Sequence, residues 1–249
     1  MFEHIHHDIP KLERSTAPDG SRVYSTPSGR AYPSVTTVTG LLKKAEILEW
    51  RKRVGEEEAN RATNRGARRG TALHLACEKY VLNEPLPAMM PSIQMLFNQV
   101  KPVLDARLDS VIASEIPLMS NHLRLGGRCD LVCRFDGKRS ILDFKTTNWA
   151  KDREMLEGYF IQEAAYAIMF EECYGTPITQ LVTISAGDSE AEAQVVVEHL
   201  WGLPILGTKD RWARDLRTEP HTLGTSDRTH SPLLLLFILH LFWIVRAAS

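Results

Sequence analysis

Asp143-Phe144-Lys145 sets a carboxylate and an ammonium two residues apart in a run, Ser140 to Thr146, that reads as a β-strand. Side chains alternate along a strand, so Asp143 and Lys145 share one face with Ile141, while Leu142 and Phe144 point into the opposite, packed side. A second carboxylate, Asp130, interrupts an otherwise apolar run, Leu125 to Phe135, and alternates with Cys129, Leu131 and Cys133. Asp136-Gly137-Lys138 is a tight turn that joins the two runs as a hairpin. Centred there, the turn sets Asp130 about opposite Asp143, where cross-strand Cβ atoms lie about 4.5–5.5 Å apart. Two carboxylates that close repel unless a cation or a proton sits between them. A hard divalent ion such as Mg²⁺ takes one or two carboxylates plus water and substrate phosphate. An adjacent lysine then stabilises the attacking water or the phosphate, which is the layout of metal-assisted phosphodiester hydrolysis.

Several elements must position these groups. Arg22 to Tyr24 and Ala31 to Thr36 flank Thr26-Pro27-Ser28-Gly29 and read as a hairpin. Thr37 or Thr39 caps a helix through about Arg53, with Leu41, Leu42, Ala45, Leu48 and Trp50 on its apolar side. Helices follow over about Glu56 to Leu82, weakest at Gly66 to Gly70, and over about Pro91 to Arg107. Asp109 to Met119, Leu123 to Phe135 and Arg139 to Thr146 read as strands, Arg153 to Tyr174 as a helix, and Ile178 to Ser185 and Gln194 to Glu198 as strands. Helices, then a meander, then helix and strand predict a mixed α/β or α+β domain. Residues 1–20 are polar and His-rich and are expected to be frayed; the domain is expected over 21–201.

Gly127-Arg128-Cys129-Asp130, Asp143-Phe144-Lys145, and Gln162 with Tyr166 resemble the PD-(D/E)XK nuclease superfamily. The resemblance is greatest to its RecB-like branch, which includes phage exonucleases and mitochondrial genome maintenance exonucleases. His74 in Gly70-Thr71-Ala72-Leu73-His74 is similar to that branch's metal-binding helix histidine. Gln162-Glu163-Ala164-Ala165-Tyr166 resembles its Gln-x-x-x-Tyr motif, and Tyr32-Pro33-Ser34-Val35-Thr36-Thr37-Val38 its N-terminal segment. The similarity runs from about residue 20 to 186. It implies a restriction-endonuclease-like core, a central mixed sheet flanked by helices, with an N-terminal helical segment. It implies His74, Asp130, Asp143 and the Phe144 carbonyl as ligands of Mg²⁺ or Mn²⁺, and Lys145 as the catalytic lysine. Gln162 and Tyr166 would brace the site or the DNA, and Glu115, on the first meander strand, would lie near the metal. Glu78, one turn after His74, is a further candidate for supporting the metal.

Arg51 to Arg69 holds seven Lys/Arg and three Glu, with Arg61, Arg65, Arg68 and Arg69 near one helix face. Beside a nuclease site such local charge would contact phosphates; by itself it is a solvated helix face. The chain as a whole is nearly neutral, at a formal net charge of −1 over 249 residues, so bulk charge names no polyanionic partner. At 43% hydrophobic and 24% charged it is neither collagen-like nor disordered. Cys77, Cys129, Cys133 and Cys173 form no Cys-x-x-Cys pair, so no iron–sulfur cluster is expected; all four read as small buried hydrophobes, Cys129 and Cys133 on one strand face. The N-terminus carries no signal-like segment, and a cytoplasmic setting is expected.

After Trp201 the character changes. Residues 202–249 form an atypical tail ending in an apolar run, Leu233 to Val245, whose 13 residues fall short of a membrane span. A linker with a docking helix, a chain end unrelated to the domain, and an anchor all stay open. The function expected is a metal-dependent DNA exonuclease acting on ends or single strands. A structure-specific endonuclease and a non-catalytic DNA-binding recombination accessory protein are the alternatives. Oligomeric state is not legible.

Overall fold

The structure is a computed structural model and describes residues 1–5, 11–18, 20–26 and 28–200. The tail over 202–249, with its apolar run, lies outside the described residues.

The frame is a six-stranded mixed sheet. Strand β5 (Leu108–Ser120), β6 (Leu125–Phe135) and β7 (Lys138–Thr147) form an antiparallel meander. Helix α5 (Arg153–Tyr174) returns the chain so that β8 (Gln180–Gly187) runs parallel to β7, and β9 (Gln194–His199) closes the sheet antiparallel to β8. The turn between β6 and β7 places Asp136 at φ 51° and Gly137 at φ 74°, the pair of left-handed residues that a two-residue hairpin requires. Asp152 caps α5 by accepting the Met155 amide at 3.0 Å, and Gly175 ends it at φ 64°.

Apolar side chains cover both faces. Ile116, Leu118, Val132 and Ile141 pack against Ile161, Ala165 and Ile168 of α5. On the other face Leu131, Leu142, Phe144 and Val182 pack against α3 (Glu56–Val81) through Leu73 and Ala76, and against α4 (Pro91–Arg107) through Leu96, Phe97 and Val100. This central mixed sheet flanked by helices is the restriction-endonuclease-like arrangement expected.

Three expectations need correction. The N-terminal residues read as frayed include β1 (Glu3–His4), parallel to β5, and β2 (Glu13–Thr16), which joins β3 (Arg22–Ser25) and β4 (Ala31–Pro33) in a small second sheet. Their pairing partners lie far along the chain or in a polar hairpin, so local pattern carries no sign of them. The single helix from Thr37 to Arg53 is two, α1 (Val35–Leu42) and α2 (Lys44–Val54). Ser34 provides the N-cap, its hydroxyl accepting the Thr37 amide at 3.0 Å. Val35 and Val38 are buried instead of the expected stripe, and Leu41 and Leu48 stay about half exposed. Cys129 and Cys133 fall in opposite apolar layers, because the alternation of β6 breaks between Cys129 and Leu131, and Cys173 is exposed.

By contrast α3 runs unbroken through Gly66 and Gly70. Its three glutamates at the first turn suit the positive end of the helix dipole.

Candidate active site

The β6–β7 ladder ends at Leu131 opposite Leu142. Beyond that pair β6 stays with β5 as far as Leu125, and β7 stays with β8 as far as Thr147. The two strands therefore part, and Asp130 and Asp143 are the first residues past the last pair. They are not a ladder pair. The Asp130 carboxylate instead accepts the Phe144 amide N–H at 3.0 Å, standing where the next backbone bond would be.

Into this notch come groups from both helical layers. From α3, His74 Nδ1 approaches Asp130 Oδ2 at 3.3 Å. From β5, Glu115 lies across from Asp130, between the pairs Ser114–Leu131 and Ile116–Cys129. One ligand atom each from His74, Glu115 and Asp130 lie within 4.8 Å of one another. The three side chains keep 29%, 25% and 13% of their exposure, so the cluster is open to an ion from solvent. From α5, Gln162 Nε2 donates to Asp143 Oδ1 at 2.9 Å, while the other oxygen of Asp143 is ion-paired with Lys145.

Electrostatics divides these acids. Burial pushes the Glu115 carboxyl up to about 7, with Asp130 and Glu78 adding repulsion. Burial would raise Asp130 too, but the His74 hydrogen bond and charge hold it below the ordinary range. Burial likewise works against charge on His74, yet Asp130 raises its pKa. Asp143, buried on all sides, is pushed up to about 6 despite Lys145. Burial would neutralise Lys145, but Asp143 and Asp130 keep it charged well above neutral pH.

The donor set fits a hard divalent cation. Two carboxylates at closest approach need a positive charge between them, and carboxylate oxygens suit Mg²⁺ and Mn²⁺. His74, Glu115 and Asp130 are the described residues that cluster this way. Asp143, expected as a ligand, is brought to the same notch but faces Lys145 and Gln162. The Phe144 carbonyl belongs to the same stretch of β7.

Tyr166 is buried and packs against β6 at Gly127. A Cβ added at Gly127 would come within 2.6 Å of its ring, so this glycine admits the tyrosine. The arginines divide as well. Arg61 pairs with Glu57 and Glu58, Arg65 lies 3.7 Å from Glu58, and Arg69 is tied to Asp188 and to the Thr147 carbonyl. Arg68 is exposed and has no hydrogen bond or ion pair among the described residues.

A match to the family model described as PD-(D/E)XK nuclease superfamily covers residues 94–219, half of the chain. The chain belongs to the PD-(D/E)XK nuclease superfamily. The matched span carries Glu115, Asp130, Asp143, Lys145, Gln162 and Tyr166; His74 and the α3 arginines precede it. No curated protein matches the chain. A PD-(D/E)XK nuclease acts on nucleic acid with a divalent metal, so the chain is a nuclease, a DNA hydrolase by its superfamily. Among the described residues, no helix is long and apolar enough to cross a membrane.

Sequence reasoning passed over Glu163, although it sits inside the Gln-x-x-x-Tyr motif. It is wholly buried on α5; Thr183 Oγ1 donates to its Oε1, and its Oε2 has no hydrogen-bond partner among the described residues. Burial, then the nearby Asp143 charge, raises its pKa well above the carboxylate range. A motif-internal glutamate beside two alanines was the available signal. Lys43 and Lys151, which share the Tyr159 ring with Lys145, and Tyr159 itself had none.

Proposed function

We propose that this PD-(D/E)XK nuclease is a DNA exonuclease of the RecB-like branch, dependent on Mg²⁺ or Mn²⁺. The observation that carries the reading is the convergence, at one parting of two strands, of the His74–Glu115–Asp130 donor set with the Asp143–Lys145 pair. His74, Glu115 and Asp130 would hold the ion, with Asp143 and the Phe144 carbonyl on the β7 side. The imidazole in that set favours Mn²⁺ over Mg²⁺, since Mg²⁺ takes oxygen ligands almost exclusively. Such an ion, when bound, neutralises phosphate charge and lowers the pKa of a coordinated water.

The chain's own residues do the rest. Lys145, charged at neutral pH, orients the attacking water or stabilises charge as it builds on the phosphate. Gln162 holds Asp143 in place through a 2.9 Å hydrogen bond. Tyr166 braces β6 from behind, where it is too deeply buried to touch DNA. Arg68, with Arg61, Arg65 and Arg69 along the same helix face, contacts the backbone of an incoming end or single strand. The setting proposed is cytoplasmic, in phage or host DNA processing, recombination or repair.

The test is time-resolved digestion of end-labelled linear DNA with Mg²⁺ or Mn²⁺, with and without EDTA, beside a covalently closed single-stranded circle. Stepwise shortening of the linear DNA, an intact circle and full suppression by EDTA are expected. Cutting of the circle would make the protein an endonuclease, and no metal-dependent cutting of either would end the catalytic reading.

A further inference from the structure

Three lysines from three separate elements meet on one aromatic ring beside the candidate site. The Nζ of Lys151, in the loop before α5, lies 4.6 Å from the Tyr159 ring centroid, that of Lys145 on β7 5.0 Å, and that of Lys43, between α1 and α2, 5.8 Å. Lys151 also donates to the Tyr159 hydroxyl. Lys43 reaches the Met155 carbonyl at 3.4 Å and runs over Gly158, where an added Cβ would lie 3.6 Å from Lys43 Cε.

One ammonium over a ring is an ordinary attraction. Three on the same ring repel one another, and the ring offers no negative charge to offset that. Lys145 has Asp143. Lys43 and Lys151 have no ion pair among the described residues, although both are only partly exposed. Partly sheltered, like-charged and unpaired groups that converge from distant parts of the chain define a place for an anion. Lysine is a compact point charge that serves phosphate without bidentate geometry.

We infer that Lys43, Lys151 and the Tyr159 hydroxyl form a subsite for a backbone phosphate of the DNA strand, next to the phosphate being cut. The inference rests on the nuclease reading, because Lys145 is the link: it faces Asp143 on one side and this ring on the other. A strand whose scissile phosphate lies at the notch continues past Lys145, and its neighbouring phosphate meets Lys43 and Lys151. The subsite holds the strand in register and takes no part in bond breaking.

The test reads binding without cleavage. Anisotropy of a labelled oligothymidylate is titrated in EDTA at several salt concentrations, with the full chain. Each phosphate contact on a single strand contributes about 0.7 to the slope of log affinity against log salt. Lys43→Met/Lys151→Met is expected to make that slope shallower by about 0.7, the one phosphate contact, Lys43→Met alone by part of that, and Lys44→Met, an exposed neighbour with the same charge loss, by nothing. Lys43→Arg/Lys151→Arg is expected to keep the wild-type slope. With metal present, the double Met variant is expected to raise KM about tenfold or more while kcat changes less than about threefold. A wild-type slope in Lys43→Met, or an equal loss in Lys44→Met, overturns the subsite. Neither result depends on cleavage, so the nuclease reading stands or falls separately on metal-dependent digestion by the wild type.

Discussion

Glu115 on β5 lies across from Asp130 on β6 with its own backbone at φ 51°, a left-handed conformation that a glutamate adopts only under constraint. Its carboxylate meets the Asp130 carboxylate and the His74 imidazole. Strain and carboxylate repulsion are thus stored at one point, where a cation would relieve the second.

Glu115→Asn should separate these terms. Asparagine tolerates the left-handed region and carries no charge. Stability in EDTA is expected to hold or rise by up to about 1 kcal/mol, while Mn²⁺ affinity falls at least about tenfold. Thermal denaturation with and without metal, and calorimetric Mn²⁺ titration, read the two separately. Unchanged Mn²⁺ affinity would remove Glu115 from the metal set.

Lys145→Met and Asp143→Asn should each lower kcat by at least about a hundredfold, the scale of losing a charged group aimed at the developing phosphate charge. Gln162→Ala removes only the group holding Asp143, so a smaller loss of about tenfold is expected. Single-turnover cleavage of end-labelled DNA, on variants shown by circular dichroism to fold, checks all three. A Gln162→Ala loss as large as that of Lys145→Met would mean that Gln162 touches the substrate.

Gly127→Ala drives a methyl group to 2.6 Å from the Tyr166 ring and should destabilise by about 1–3 kcal/mol. Tyr166→Leu in the same chain vacates that space, so the double variant should be more stable than the sum of the two single losses. Urea denaturation of the four proteins decides it; strict additivity would show that the two residues do not meet.

Glu163 supplies the pH prediction. Burial raises its folded pKa well above its unfolded value, so the folded state holds the proton. Below about pH 4.5 both states are protonated and the group contributes nothing; as pH rises, the unfolded chain ionises and stability is lost. Glu163→Gln removes that loss and still lets Thr183 donate to the amide oxygen. Its stability relative to wild type should therefore increase between about pH 4.5 and 7, measured by denaturation in EDTA. A difference that does not change with pH would show Glu163 ionised in the fold.

Much of this was legible from local pattern. The turn at Asp136-Gly137 needs two left-handed residues and so announces the β6–β7 hairpin, and with it the neighbourhood of Asp130 and Asp143. Helices α4 and α5 appear where periodicity sets them, between Pro91 and Arg107 and between Arg153 and Tyr174, because caps and apolar spacing act within a few residues. The ordered His, Glu, Asp, Asp-x-Lys and Gln-x-x-x-Tyr set pointed to the superfamily that the chain belongs to.

What tertiary structure alone decided is which of those groups meet. Residue spacing along β6 and β7 predicted a cross-strand pair, but the strands part after Leu131 and Leu142, where β6 stays paired only with β5 and β7 only with β8. That parting turns Asp130 toward His74 and leaves Asp143 to Lys145 and Gln162. The partnership of Glu115 with Asp130 depends on the β5 register, and the meeting of Lys43, Lys151 and Tyr159 depends on how the end of α1 lies against α5. Local forces choose elements and residue types; long-range packing chooses neighbours, since it is set by contacts between segments whose separation along the chain carries no periodic signal.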